Sequence, residues 1–145
     1  MLIGYFNNES GSQHLILESR LESIEAVEDL ISRVKEEHAI SEECCNGIWL
    51  ALNEAVTNAI KHGNKYDPGK KVSLTVETKG SRYLCFTVKD EGMGFDPEKV
   101  PDPTSSECIE EPNGRGVYLI NKVADTVSFS RNGTILEMCF DICKN

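Results

Sequence analysis

The spacing of apolar residues divides the chain into a helical first half and a strand-rich second half. Residues 13–18 (Gln-His-Leu-Ile-Leu-Glu) predict a short strand. Ser19-Arg20-Leu21-Glu22 then has the S-x-x-E form of a capping box. Leu21, Ile24, Val27, Ile31 and Val34 recur at helical spacing, which predicts a first helix to about Glu37. A second helix starts at Ser41, with Glu42 and Glu43 suited to the positive end of its dipole, and stops at Gly63-Asn64. From Val72 the period shortens to two. Val72, Leu74 and Val76 predict one half-buried strand, and Leu84, Phe86 and Val88 a second beyond the turn at 79–82. After Gly116, Val117, Ile120, Val123 and Ala124 predict a short helix. Val127 and Phe129 lead through the hairpin signal Asn132-Gly133 to a last strand carrying Leu136, Met138, Phe140 and Ile142. Helices followed by strands with one apolar face predict an α+β fold, a two-layer sandwich of antiparallel sheet and helices.

The second helix is the element with chemistry on it. Ile48, Trp49, Leu52, Val56 and Ile60 share a broad apolar arc, while Glu54, Asn58, Lys61 and His62 share the opposite one. A carboxylate and an amide four residues apart project side by side, with only the methyl groups of Ala51 and Ala55 crowding them. That leaves room for something to dock on the helix. A solvated polar face fits the same residues.

Composition narrows the class. The chain has 145 residues, 39% hydrophobic and 27% charged, the size and balance of one globular domain spanning 1–145. No apolar run approaches the roughly 18 residues needed to cross a bilayer. The first residues lack the basic start and long apolar stretch of a signal peptide. A net charge of −9 without a basic cluster argues against DNA or RNA as direct partners. None of the six cysteines forms a C-x-x-C pair, and Cys85 and Cys139 fall within apolar strand patterns. The expectation is reduced thiols in a cytoplasmic protein without a structural metal.

Two glycine motifs follow the second helix. Asp90-Glu91-Gly92-Met93-Gly94 continues the inward face of its strand, where a carboxylate is costly unless something donates to it. A purine amine would do so, and glycines let backbone approach a flat ligand. A strand-ending turn with a solvated Asp is the plainer alternative. Residues 96–113, with four prolines and six acidic residues, show no period. Asn113-Gly114-Arg115-Gly116 then enters a helix, where free N–H groups and the dipole suit phosphates and Arg115 adds a charged fork. A glycine-rich loop closing onto a helix is again the plainer alternative. There is no P-loop signature, and His14, His38 and His62 make no metal-ligand pair.

Taken in order, Glu54-x-x-x-Asn58, Asp90-x-Gly92-x-Gly94 and Gly114-x-Gly116 resemble the N-box and two glycine boxes of the GHKL ATPase superfamily. The resemblance covers roughly residues 10–143. Within it the chain is most similar to the anti-sigma factor serine/threonine kinases of bacterial partner-switching systems. The resemblance implies a Bergerat ATP-binding fold, mostly antiparallel sheet with helices on one face. It implies ATP and Mg²⁺ as ligands, with Asn58 on the metal and Glu54 as general base. Asp90, Gly92 and Gly94 would shape the adenine pocket; Gly114, Arg115 and Gly116 would hold phosphates; residues 96–113 would form the ATP lid. The implied partner is a STAS-domain anti-anti-sigma protein, with a sigma factor and a second copy of the chain as further candidates. Two alternatives stand beside it. One is a histidine-kinase-type catalytic domain acting in trans, although no His sits in a two-helix dimerisation pattern. The other is an ATP-binding partner-switch module that transfers no phosphate.

Overall fold

The computed structural model describes residues 2–7, 12–93 and 112–143, with side chains from 12 to 93 and from 118 to 143. Six strands form one sheet: β1 (Leu2–Asn7), β2 (Gln13–Glu18), β3 (Lys71–Lys79), β4 (Tyr83–Lys89), β5 (Thr126–Ser130) and β6 (Ile135–Asp141). Their order is β1-β2-β3-β4-β6-β5, and every neighbouring pair is antiparallel. Among the described residues three α-helices complete the fold: α1 (Ile24–His38), α2 (Glu42–Asn58) and α3 (Pro112–Val123). The α+β expectation therefore holds. The edge strand β1 is an addition that no alternating pattern announced.

Alternation decides which face of the sheet is covered. Leu15, Leu17, Val72, Leu74, Val76, Leu84, Phe86, Val88, Leu136, Met138 and Phe140 are buried in one cluster with residues of all three helices. Each large apolar side chain so covered contributes about 1.5–3 kcal/mol relative to exposure. The periodic positions of α1 behave as expected except at its start. Leu21 lies in a 3₁₀ turn (Leu21–Ser23) and stays exposed, and the predicted capping box does not form. The Ser19 hydroxyl instead donates to Lys70 O, and the Ser23 hydroxyl donates to Glu18 O at 2.8 Å. At α2 the expected cap is present: Cys44 N–H donates to Ser41 Oγ at 3.2 Å.

Along α2 the apolar arc is wider than the sequence implied. Ile48, Leu52, Val56 and Ile60 are buried, and so are Ala51, Ala55 and Ala59. The small residues continue the row begun by Gly47, where an added methyl would lie 3.9 Å from Val123 Cβ of α3. What docks on that row is thus α3, which packs along α2.

The cysteine expectation needs correction. Cys85 and Cys139 stand directly opposite one another on β4 and β6, their Cα atoms 4.1 Å apart, and are joined by a disulfide. Facing positions on adjacent antiparallel strands hold two cysteines within bonding reach. Both are buried although they lie on the face turned away from the helices. Asp141, two residues on, is buried there too. Its carboxylate accepts from Arg82 Nε at 2.8 Å, and its N–H donates to Asp125 at 2.7 Å. No helix among the described residues is long and apolar enough to cross a membrane.

Candidate functional site

Glu54 and Asn58 lie one turn apart on α2, both half-buried and on one side of the helix. His62 extends the same row by another turn. Its Nε2 is buried with no hydrogen-bond partner among the described residues, and burial, reinforced by Lys61, lowers the imidazole pKa and favours the neutral ring.

Beyond Asn58 the helix widens. Ala59–Gly63 is a π turn, in which Asn64 N–H donates to Ala59 O at 2.8 Å, and Tyr66 N–H then reaches Ile60 O at 2.9 Å. Such single π turns recur at functional sites. Lys65 and Tyr66 follow with φ of 52° and 59°. Left-handed backbone at non-glycine residues costs about 1–3 kcal/mol each, so the surroundings hold this exit in place.

The π turn ends against the Asp90–Gly92 turn. A methyl on Gly63 would lie 2.5 Å from Asp90 Cγ and 2.6 and 2.8 Å from its two oxygens. A methyl on Gly92 would lie 2.0 Å from Gly63 O. Two absent side chains therefore create the cradle in which the Asp90 carboxylate sits. Asp90 N–H donates to Thr134 O at 3.0 Å, and Asp90 Oδ1 accepts from Gly92 N–H at 2.8 Å. Nothing among the described residues donates to Oδ2. Burial raises the Asp90 pKa, opposed by the Gly92 N–H and by Lys70.

The sign of that shift makes a prediction. A raised carboxyl pKa means that folding favours the protonated form. Its stabilising effect is full below the unfolded-state pKa and is lost as pH rises through the folded value. Asp90→Asn keeps an oxygen for Gly92 N–H and carries no charge. The ligand-free variant is expected to melt slightly higher than the parent at pH 7. A melt several degrees lower would mean that the ionised carboxylate stabilises the free protein.

Asn64 is buried beside this cradle. Its Nδ2 donates to Ser19 Oγ at 2.9 Å and to Lys71 O at 3.0 Å, while its Oδ1 accepts from Glu91 N–H at 2.7 Å. Gly63 and Asn64 are site residues that the sequence reading treated only as a helix stop. Their signal was position, directly after the polar row of α2.

The second glycine motif stands differently from expectation. α3 begins at Pro112, not after Gly116, so Gly114, Arg115 and Gly116 fall within its first turns. A proline at the first helical position is pre-set for the helix and lacks only an N–H that would be unpaired anyway. Val123 lies against Gly47 near the start of α2 while the helices pack along one another, so they run antiparallel. Eleven residues back from Val123 is Pro112, and eleven on from Gly47 is Asn58. The start of α3, with its unpaired N–H groups, therefore comes to about the level of Asn58. Gly94 and the segment up to 111 lie outside the described residues. The expected lid lies there too, apart from Pro112 and Asn113, which open α3.

The anti-sigma F factor of Shouchella clausii is 39% identical over 72 residues, 48% of this chain and 48% of that protein. The match thus spans about half its length. The serine-protein kinase RsbW of Oceanobacillus iheyensis is 25% identical over 114 residues, 74% of this chain and 72% of that protein. Among solved structures, the histidine kinase domain of the Erythrobacter litoralis EL346 blue-light activated histidine kinase shares the fold. Its TM-score is 0.52 at 19% identity, covering 85% of this chain and 61% of that one. The description "Histidine kinase-like ATPase domain" fits residues 17–140, a span that takes in α2, the Asp90 turn and α3 together. The chain belongs to the histidine kinase-like ATPase domain family.

Proposed function

We propose that this domain binds ATP with Mg²⁺ and transfers the terminal phosphoryl group to a serine or threonine of a STAS-domain anti-anti-sigma protein, so regulating a sigma factor or a similar target. The observation that carries the reading is the cradle at Gly63, Asp90 and Gly92. A half-buried carboxylate with a free oxygen is held where two missing methyl groups let the Asp90 turn close onto Gly63. It lies some five residues along from Asn58, roughly 7 Å of helix rise. Kinase and anti-sigma roles are supported by the names of the two relatives.

In this reading Asp90 accepts the adenine amine, Gly92 lets the Asp90 turn close onto Gly63, and Gly94 completes the adenine pocket. Asn58 is the side chain that would hold magnesium, an oxygen-seeking ion that usually keeps several waters. The metal would supply charge neutralisation along the phosphates. The free N–H groups of the first turn of α3, that of Gly114 among them, would hold phosphate oxygens, with the Arg115 side chain adding charge and Gly116 keeping the helix start slim. Glu54, one turn before Asn58, takes the proton of the attacking hydroxyl. The hydroxyl oxygen then bonds to the γ-phosphorus, the bond to the bridging oxygen breaks, and ADP leaves with that electron pair. The cytoplasm is the compartment this reading requires, because ATP and such partners meet there; the Cys85–Cys139 bond is unusual for a reducing compartment.

The test is calorimetric titration with ATP, with and without magnesium. Magnesium-dependent binding is expected in the parent, and Asn58→Ala should weaken it at least about tenfold, the lower end for disturbing a metal site. The fold should survive, since Asn58 is only half-buried. Equal binding by parent and variant would sink the assignment of Asn58.

A further inference from the structure

We propose that Asn64 is a positioning residue for nucleobase recognition: its buried carboxamide locks the Asp90–Gly92 turn to the end of α2 and thereby aims the Asp90 carboxylate. The inference rests on the reading of Asp90 as acceptor of the adenine amine.

Asn64 is only 1% exposed, and its hydrogen-bonding capacity is spent on three separate segments. Both Nδ2 protons are used, on Ser19 Oγ ahead of α1 and on Lys71 O at the start of β3. The Oδ1 atom takes the N–H of Glu91. With two acceptors facing the nitrogen and one donor facing the oxygen, the amide has a single satisfactory orientation. Glu91 closes the circuit, since its Oε1 accepts from Lys71 N–H at 2.6 Å. Lys71 is therefore held at its carbonyl by Asn64 and at its N–H by Glu91.

The consequence falls on Asp90. Two peptide planes flank its Cα, and each is pinned by one bond. The plane before it is set by Asp90 N–H donating to Thr134 O. The plane after it is set by Glu91 N–H donating to Asn64 Oδ1. Fixing both planes fixes the backbone angles of Asp90, and hence the direction in which its side chain leaves the chain. The carboxylate is then backed by Gly63, the residue directly before Asn64. One residue thus anchors the turn while its neighbour supplies the floor. A buried amide with this many partners is costly to disturb, because each partner left unpaired bears its own desolvation penalty.

The experiment compares equilibrium binding of ATP with that of purine riboside 5′-triphosphate, which lacks the 6-amino group, both with magnesium. The parent should prefer ATP by about tenfold or more, the scale of one hydrogen bond to a charged acceptor. Asn64→Asp keeps an oxygen for Glu91 N–H but turns a second one toward Lys71 O; Asn64→Ser removes the reach altogether. In both, the preference for ATP is expected to collapse to within about threefold while the analogue binds nearly as before. A merely structural Asn64 would lower the melting temperature and leave the preference of the folded protein intact. That outcome overturns the proposal. If neither variant folds, Ser19→Ala, which removes one of the three contacts, decides the matter: a reduced preference supports the role and an unchanged one overturns it. A parent that fails to distinguish the two nucleotides, and an Asp90→Asn variant that behaves like it, would overturn the Asp90 reading and this proposal with it. A parent preference abolished by Asp90→Asn but kept by Asn64→Asp overturns this proposal alone.

Discussion

Glu54→Gln is expected to lower phosphoryl transfer by roughly 10²–10⁴-fold while ATP affinity changes little. The substitution keeps size and hydrogen-bonding reach and removes only the basic oxygen. Glu54 sits one turn from Asn58 on the same side of α2 and is half-buried. That is the place for a proton acceptor beside, not within, a metal site. The measurement is single-turnover transfer to a STAS-domain substrate protein, paired with calorimetric ATP binding of the same variant. A rate that barely moves would remove Glu54 from the mechanism and favour an ATP-binding switch without transfer. Affinity and rate falling together would make Glu54 an organiser of the metal.

Most of the fold was legible because periodicity reports burial directly. The period-two stretches at 72–76 and 84–88 became β3 and β4 with the expected residues inward. The helix from Ser41 to Gly63 became α2 and its π turn. What failed to show in the sequence was decided by partners distant along the chain. Ser19 left its capping role because Lys70 O and Asn64, some fifty residues on, meet its hydroxyl. Cys139 and Asp141 lie on the face of β6 turned away from the helices. They are buried because Cys85 and Arg82 stand opposite or beside them across β4. The Asn132-Gly133 signal marked its hairpin correctly: with Ser130 paired to Ile135, residues 131–134 form the loop and Asn132-Gly133 is its centre. Arg131 and Asn132 take φ of 50° and 59°, and Gly133 N–H closes onto Ser130 O at 3.1 Å.

The site divides along the same line. Glu54 and Asn58 could be paired from spacing alone, since four residues make one helical turn. That Asp90 lies against Gly63 could not, because nothing in either segment names the other. Nor could the small residues of α2 reveal their own covering: Ala51 and Ala55 suggested room for a ligand, and α3 occupies that row. The start of α3 reaches the level of Asn58, so helix packing sets the separation between the polar row of α2 and the N–H groups of the second glycine motif.

Gly92→Ala and Gly63→Ala are expected to fail in different ways, although each adds one methyl group to the same contact. At Gly92 the new carbon would meet backbone, 2.0 Å from Gly63 O and 2.5 Å from Gly63 C. No side-chain rotation relieves that overlap, so the turn and the π turn must separate, and the bond from Glu91 N–H to Asn64 goes with them. The cost should lie at the upper end of the roughly 1–3 kcal/mol typical of overpacking, lowering the melting temperature by about 10 °C. At Gly63 the three atoms nearest the new carbon all belong to the Asp90 carboxyl group, at 2.5–2.8 Å. That group swings aside by rotating about its own bonds, so the melting temperature should fall much less, whereas the carboxylate no longer faces the cradle. ATP binding should then drop about tenfold, as for the loss of a hydrogen bond to a charged group. Thermal melts and nucleotide titrations of the two variants separate the cases. Two variants that lose stability equally, with Gly63→Ala keeping full ATP affinity, would show that the close approach serves packing alone and that Asp90 takes no part in holding the base.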